Sequence, residues 1–241
     1  MTPSSKTTVA IVVIVCVALA AAAITGTYWW SSSRSFRPQL PPAADYIVLS
    51  EDPVLRVHQK FMSAEEAAGV VTLAGDRFNR SVVVMEVSGT QVADPARTSY
   101  SVYFRHAETP LIHALEKRAA ALLGMPVSWL ECLQVVRYEH GQFYKPHYDY
   151  LPESPDVAAN GQRQATVFAY LNDLPEEETG GGTHFPALVK TVRPKLGAAA
   201  LWMNVRDGKV DPRTLHGGEP VVLSGTVKYG MNFWFRDRPQ K

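Results

Sequence analysis

Cysteine is nearly absent from this 241-residue chain. Only Cys16 and Cys132 occur, and Cys16 stands inside an apolar run, so no disulfide can close within the rest of the chain. Charge of one sign is lacking too. Twenty-four Lys and Arg face 23 Asp and Glu for a formal net charge of +1, so nothing in the balance points to nucleic acid, and no such partner is expected. Internal repeats and low-complexity tracts are missing after the N-terminal region, which excludes a solenoid. There remains 46% hydrophobic content, enough for one sizeable core rather than two. Nothing in the sequence speaks to an oligomeric state.

Part of that apolar content is set apart. Val9 to Ile24 is unbroken, and Thr7 to Trp30 matches the roughly 20 residues that span a bilayer. Tyr28, Trp29 and Trp30 resemble an interfacial aromatic belt. We therefore expect a short tail over 1–8, a transmembrane anchor over 9–30, and a stalk over 31–45 rich in Ser, Pro and Arg. Ala21 to Ala23 leave a cleaved signal peptide as the alternative. Lys6 before the run and Arg34 and Arg37 after it lean against a lumenal position for the remainder of the chain. One triplet, Asn79-Arg80-Ser81, fits the N-glycosylation acceptor pattern.

The segment 46–241 reads as a single domain. Ile47–Leu49 and Val54–Val57 suit short strands, and Ser63 with Glu66 forms a capping-box pattern for a helix over about 64–73. Val82–Val87 and Tyr100–Phe104 are further strand candidates. Thr109 and Pro110 open a second helix whose apolar stripe ends at Gly124. Beyond Leu133 the pattern turns to short β-rich runs, clearest at Thr166–Leu171, Ala198–Met203, Val221–Leu223 and Thr226–Phe235. Helices first and strands after predict an α+β chain, a helical layer against a β-sandwich or barrel.

The chemistry concentrates in QVVRYEHGQFYKPHYDY, residues 134–150. On a strand, residues two apart share a face, so His147 and Asp149 can aim an imidazole and a carboxylate at one point. That pair supplies two-thirds of the facial triad that holds non-haem Fe(II) with open positions. His184 and His216 are the downstream candidates for the third ligand. From Thr226 onward, Lys228, Gly230, Asn232 and Trp234 share one strand face and read as a pocket wall. Tyr229, Met231, Phe233 and Phe235 share the other and read as core.

With these residues in place the chain resembles the Fe(II)- and 2-oxoglutarate-dependent dioxygenases, and among them the prolyl 4-hydroxylases. LECLQVVRYEHGQFYKPHYDY, RQATVFAYLND, GGGTHFP, DGKVDPRTLHGGEPV and GTVKYGMNFWF look like that family's motifs in its order, across about Asp94 to Arg238. The resemblance implies a double-stranded β-helix (jelly roll) with flanking helices. It implies Fe(II) on His147, Asp149 and His216, and 2-oxoglutarate on Lys228 and Tyr138. Tyr144, Arg163 and Trp234 would lie near the peptide groove. It further implies ascorbate as reductant, a proline-rich or collagen-like polypeptide substrate, and a lumenal catalytic domain on the endoplasmic reticulum or Golgi membrane. The expected reaction hydroxylates peptidyl proline and yields succinate and CO2. A dioxygenase acting on another residue such as lysine, and a non-catalytic jelly-roll binding module, are the alternatives.

Three departures from the family pattern stand out. His216 to Lys228 is about two residues longer than usual, a change that a bulge or turn can absorb. Gly182 replaces the glutamate usual after the first two glycines of GGETxFP. Glu219 replaces a cysteine common in plant and animal members.

Overall fold

The computed structural model describes residues 46–84 and 91–240. The strands, in chain order, begin with β1 (Tyr46–Glu51), β2 (Val54–His58), β3 (Asn79–Arg80), β4 (Val83–Val84), β5 (Gln91–Val92) and β6 (Tyr100–Phe104). They continue with β7 (Leu133–Tyr138), β8 (Tyr144–His147), β9 (Arg163–Tyr170), β10 (Thr183–Phe185) and β11 (Lys190–Val192). The last are β12 (Ala199–Met203), β13 (Val205–Arg206), β14 (Lys209–Val210), β15 (His216–Gly218) and β16 (Lys228–Arg236). The helices are α1 (Ala64–Ala74), α2 (Pro110–Leu123) and α3 (Pro155–Asn160).

An eight-stranded sheet runs β1-β2-β12-β9-β16-β7-β6-β3, and a four-stranded sheet runs β11-β10-β15-β8. The ladders within both are antiparallel. One core cluster joins the two sheets. Val57, Tyr138, Phe168, Tyr170 and Trp202 come from the larger sheet, and Phe185 and Val192 from the smaller. Face-to-face sheets with short outer helices are the jelly-roll arrangement expected, and the chain is mostly β.

The opposite face of the larger sheet is also buried. Met231, Phe233 and Phe235 are fully buried there, and Phe233 meets Phe61 edge-on at 5.4 Å, just ahead of α1. A strand covered on both sides loses the simple apolar–polar alternation, and β16 is buried along almost its whole length. Both long helices start as expected. Ser63 Oγ accepts from Glu66 N while Glu66 Oε2 accepts from Ser63 N, and Thr109 Oγ1 accepts from Ile112 N. Gly124 ends α2 at φ 61, a left-handed position that glycine fills without a Cβ clash.

One strand expectation needs correction. Val221–Leu223 is not a strand. Its backbone N–H groups at Val222 and Leu223 instead donate to the buried Glu178 carboxylate, which holds the stretch as a loop. Of the Val82–Val87 candidate, Val83–Val84 is strand and 85–90 lie outside the described residues.

The single-pass membrane localisation with a lumenal catalytic domain is also corrected. Among the described residues no helix is long and apolar enough to cross a membrane. The longest of these, α2, has 14 residues and carries Glu116, Lys117 and Arg118, short of a bilayer and charged. The tail, the span expected over 9–30, and the stalk lie outside the described residues.

Candidate active site

His147 ends β8 and His216 begins β15, directly opposite each other in the ladder. The register shifts between His216 and Gly218, which pairs with Tyr144, so a bulge sits beside the two imidazoles. Asp149 lies two residues beyond the end of β8. Its convergence on His147 therefore comes from the bend after the strand, not from strand alternation. One ligand-type atom from each of His147, Asp149 and His216 lies within 4.8 Å of the others. Asp149 Oδ1 is 3.9 Å from His147 Nε2, and Oδ2 is 3.6 Å from His216 Nε2.

Backbone carbonyls set both imidazoles. His147 Nδ1–H donates to the Lys145 carbonyl at 2.9 Å, and His216 Nδ1–H donates to the Thr214 carbonyl at 2.9 Å. In the neutral form of each ring, Nε2 then presents its lone pair toward Asp149, the state a metal ligand needs. Aromatic rings hold them in place: Tyr144 stacks on His147 at 3.5 Å, and Trp202 meets His216 edge-on at 4.6 Å.

Burial, with His216 nearby, pushes His147 down to about 3, so it is neutral. Burial works against the Asp149 carboxylate. The His216 and His147 imidazoles, Arg163 and the Thr166 hydroxyl outweigh it and hold the carboxyl below its ordinary range. Two imidazoles and one carboxylate, pointing inward on one side, fit a divalent transition metal with open positions.

A cavity leads inward from this cluster to Lys228, lined also by Tyr138, Phe168, Thr183 and Asn232. Lys228 opens β16 opposite Tyr138 and is 1% exposed. Its ammonium lies over three rings: Tyr138 at 5.3 Å, Phe168 at 5.6 Å and Tyr170 at 5.9 Å. Gly230 makes room for this cage, since a Cβ there would run into the Phe168 ring. Among the described residues no carboxylate is paired with Lys228, and burial pushes it down to about 7, eased slightly by Glu219. A buried cation without an anion is costly, and a ligand carboxylate is the natural partner.

Outward, a cleft of about 560 Å³ is lined by Arg97, Tyr103, Tyr144, Tyr148, Arg163 and Trp234 among others. Arg163 packs flat against Trp234 at 3.8 Å and makes a two-pronged pair with Glu131, both bonds 2.8 Å. Tyr144 is partly sheltered between His147 and Arg97, and its phenol is pushed up to about 12 mainly by burial.

The cavities thus bring together all eight residues named from the sequence: His147, Asp149 and His216, Lys228 and Tyr138, and Tyr144, Arg163 and Trp234. The rival third ligand is elsewhere. His184 Nδ1 is 2.8 Å from Thr191 Oγ1 on the outer part of the small sheet. Arg236, the cation at the far end of β16 from Lys228, is bound to Glu131, Asp156 and the Gly161 carbonyl. Between His216 and Lys228 the chain forms the loop tied to Glu178 and a turn in which Thr226 N donates to the Leu223 carbonyl. Gly182 has its own reason: a Cβ there would collide with Thr191 Cγ2 and lie 2.5 Å from Glu219 Oε2. Glu219 occupies the space.

Sequence reasoning missed four residues. Arg97 is 6% exposed and donates to Ser99 Oγ, Gln134 Oε1 and the Val82 carbonyl, three neutral oxygens. Thr183 lines the Lys228 cavity and accepts from Tyr170 OH at 2.9 Å. Thr166 and Asn204 stand behind Asp149. Their only sequence signal is a polar residue set in an apolar run.

Comparison with known proteins bears on these residues. Residues 133–236 match the 2OG-Fe(II) oxygenase superfamily. The chain is 38% identical over 207 residues to Prolyl 4-hydroxylase 1 of Arabidopsis thaliana, covering 79% of this chain and 71% of that one. Among solved structures, the viral collagen prolyl hydroxylase of Paramecium bursaria Chlorella virus-1 in its 2OG complex superposes with a TM-score of 0.60. It is 27% identical, over 76% of this chain and 95% of that one. A Pseudomonas putida prolyl-4-hydroxylase shares the fold at 18% identity and a TM-score of 0.53, over 76% of this chain and 92% of that one.

Proposed function

This chain belongs to the prolyl 4-hydroxylase family of 2OG-Fe(II) oxygenases, and from that premise we propose the assignment of its site residues to the family's reaction. The reaction is hydroxylation of a peptidyl proline with O2 and 2-oxoglutarate, giving succinate and CO2. The observation that carries the assignment is the His147, Asp149 and His216 cluster at the mouth of a cavity that ends on the buried Lys228.

His147, Asp149 and His216 would hold Fe(II). Bound there with 2-oxoglutarate, iron supplies the activation of O2 that hydroxylation of an unactivated carbon requires. The residues do the rest. The Lys145 and Thr214 carbonyls keep both Nε2 lone pairs turned inward. Lys228 takes the distal carboxylate of 2-oxoglutarate, with Tyr138 beside it and Thr183 in the same cavity. That pairing would satisfy the buried ammonium and fix the length of the acid between the cage and the metal. Burial of this inner cavity keeps water from the charged pair.

In the outer cleft, Tyr144, Arg163 and Trp234 would grip an extended proline-containing segment. Flat aromatic faces suit the rigid, apolar surface of a proline-rich chain. The Glu131 pair locks Arg163 against Trp234, so the wall is formed before the peptide arrives. A proline-rich or collagen-like polypeptide is the substrate class proposed, supported by the relatives' names and this cleft. Ascorbate is proposed as the accompanying reductant on the family resemblance. The test supplies purified protein with Fe(II), 2-oxoglutarate, ascorbate and a proline-rich peptide. Equal yields of succinate and 4-hydroxyproline are expected; succinate without hydroxyproline would overturn the substrate assignment.

A further inference from the structure

A run of hydrogen bonds behind the metal-type cluster begins on one of its members and ends on another. Asp149 Oδ2 accepts from Thr166 Oγ1 at 2.7 Å, and Thr166 Oγ1 accepts from Asn204 Nδ2 at 3.0 Å. The Asn204 main-chain carbonyl accepts from Asp211 N at 3.0 Å. The Asp211 carbonyl in turn accepts from Thr214 N at 3.0 Å and Thr214 Oγ1 at 2.8 Å, closing the Pro212–Thr214 turn. The Thr214 carbonyl then accepts from His216 Nδ1.

Asn204 is the residue common to both halves. It is 1% exposed, follows the last residue of β12, and is fixed to β9 by its own N–H, which donates to the Gln164 carbonyl at 2.8 Å. Thr166 is fully buried. A threonine hydroxyl has one proton to give. With the Asn204 amide donating into Oγ1, that proton is directed to Asp149. One lone pair of Oδ2 is thereby occupied, and the carboxylate cannot rotate freely about its χ2 bond. The backbone of the same residue anchors the turn whose carbonyl sets the His216 tautomer.

We infer that Asn204 is a positioning residue for the metal centre, orienting Asp149 through Thr166 with its side chain and His216 through the 211–214 turn with its backbone. A residue kept merely to fill space would need no donor aimed at a hydroxyl. The inference rests on the ligand assignment above and names the residue that joins two of the ligands. Outer-shell partners of this kind are worth about 10–100-fold in metal affinity.

The test uses the full chain stripped of metal, with Co(II) as the probe, read by calorimetry and by its visible ligand-field spectrum. Thr166→Val and Asn204→Ala should each weaken Co(II) binding, the stronger of them by about tenfold or more. They should alter the Co(II) spectrum at saturation while the metal-free proteins melt cooperatively. Because among the described residues the Asn204 side chain reaches Asp149 only through Thr166, the double variant should bind Co(II) no more weakly than Thr166→Val alone. Should Asn204→Ala fail to fold, Asn204→Ser carries the same comparison with a shorter side chain.

Wild-type affinity and spectrum in the Asn204 variants, or strictly additive losses in the double variant, would overturn the inference while the ligand assignment stood. Unchanged Co(II) binding in a His216→Ala control would overturn both together.

Discussion

His147 and His216 are direct cross-strand partners, and the bulge beside them falls between His216 and Gly218. Two imidazoles on facing strands of the small sheet are held at a fixed separation by the ladder itself, with ring centroids 4.5 Å apart. Asp149 is then brought to them by a bend and by the Thr166 hydroxyl. The geometry that invites a metal is thus mostly backbone geometry, and it yields separable predictions.

Removing a ligand should end turnover without ending the fold. Asp149→Ala and His216→Ala should each lower the hydroxylation rate by more than the roughly 10–100-fold typical of outer-shell changes. Circular dichroism of the metal-free variants should keep the β-rich spectrum of the parent. Near-normal turnover in either variant would show that the cluster is not the metal site.

With Lys228 as the proposed partner of the 2-oxoglutarate carboxylate, cosubstrate binding should depend on pH. Its folded-state value, about 7, lies below the ordinary 10.5, so between these values the unfolded chain binds the extra proton. Stability of the free protein should therefore rise with pH across that window, by linkage, with the full cost of the buried ammonium present below it. On the proposed pairing, 2-oxoglutarate binding needs the charged form, so its affinity should fall by up to about tenfold per pH unit above the folded value. Lys228→Met should remove both dependences, weaken 2-oxoglutarate binding strongly and stabilise the free protein near neutrality. Calorimetric titrations and urea melts from about pH 6 to about pH 9 read both effects.

Glu131 holds two buried guanidinium groups, those of Arg163 and Arg236. Truncating it leaves Arg163 without its close carboxylate partner and Arg236 with Asp156 alone. Glu131→Ala should cost about 3–5 kcal/mol in urea unfolding, the range for breaking one side of a buried ion pair. Trp234→Ala, in contrast, should raise the peptide KM while leaving peptide-independent turnover of 2-oxoglutarate close to the parent rate.

Gly182 and Glu219 form a steric pair. Gly182→Ala should destabilise by about 1–3 kcal/mol, the usual cost of forced overpacking. Adding Glu219→Ala opens the space on that side, so the double variant should recover part of the loss in thermal melts. A double variant less stable than Gly182→Ala would contradict the contact.

Much of this site was legible because its chemistry is carried by rare residue types at short spacing. His147-x-Asp149 and Lys228 with Trp234 each lie within one stretch of chain, and the Ser63 and Thr109 caps are equally local. Strand alternation does not account for the first pair, since Asp149 lies beyond the strand and is turned inward by a bend. The hidden part depends on pairing between distant strands. Asn204 meets Thr166 because β12 lies beside β9 in the larger sheet, and Thr166 meets Asp149 from the bend after β8, in the smaller one. The Val221–Leu223 run has strand composition, yet Glu178, more than 40 residues earlier, captures its backbone donors. No local pattern announces such a partner.

The most direct test of the central claim is one reaction. The protein, supplied with Fe(II), 2-oxoglutarate and ascorbate, is given a proline-rich peptide, and mass spectrometry follows the peptide while succinate is assayed. The account predicts addition of one oxygen atom to proline at C4, matched one-to-one by succinate and lost on chelating the iron. Folded, iron-loaded protein that yields neither product would contradict it.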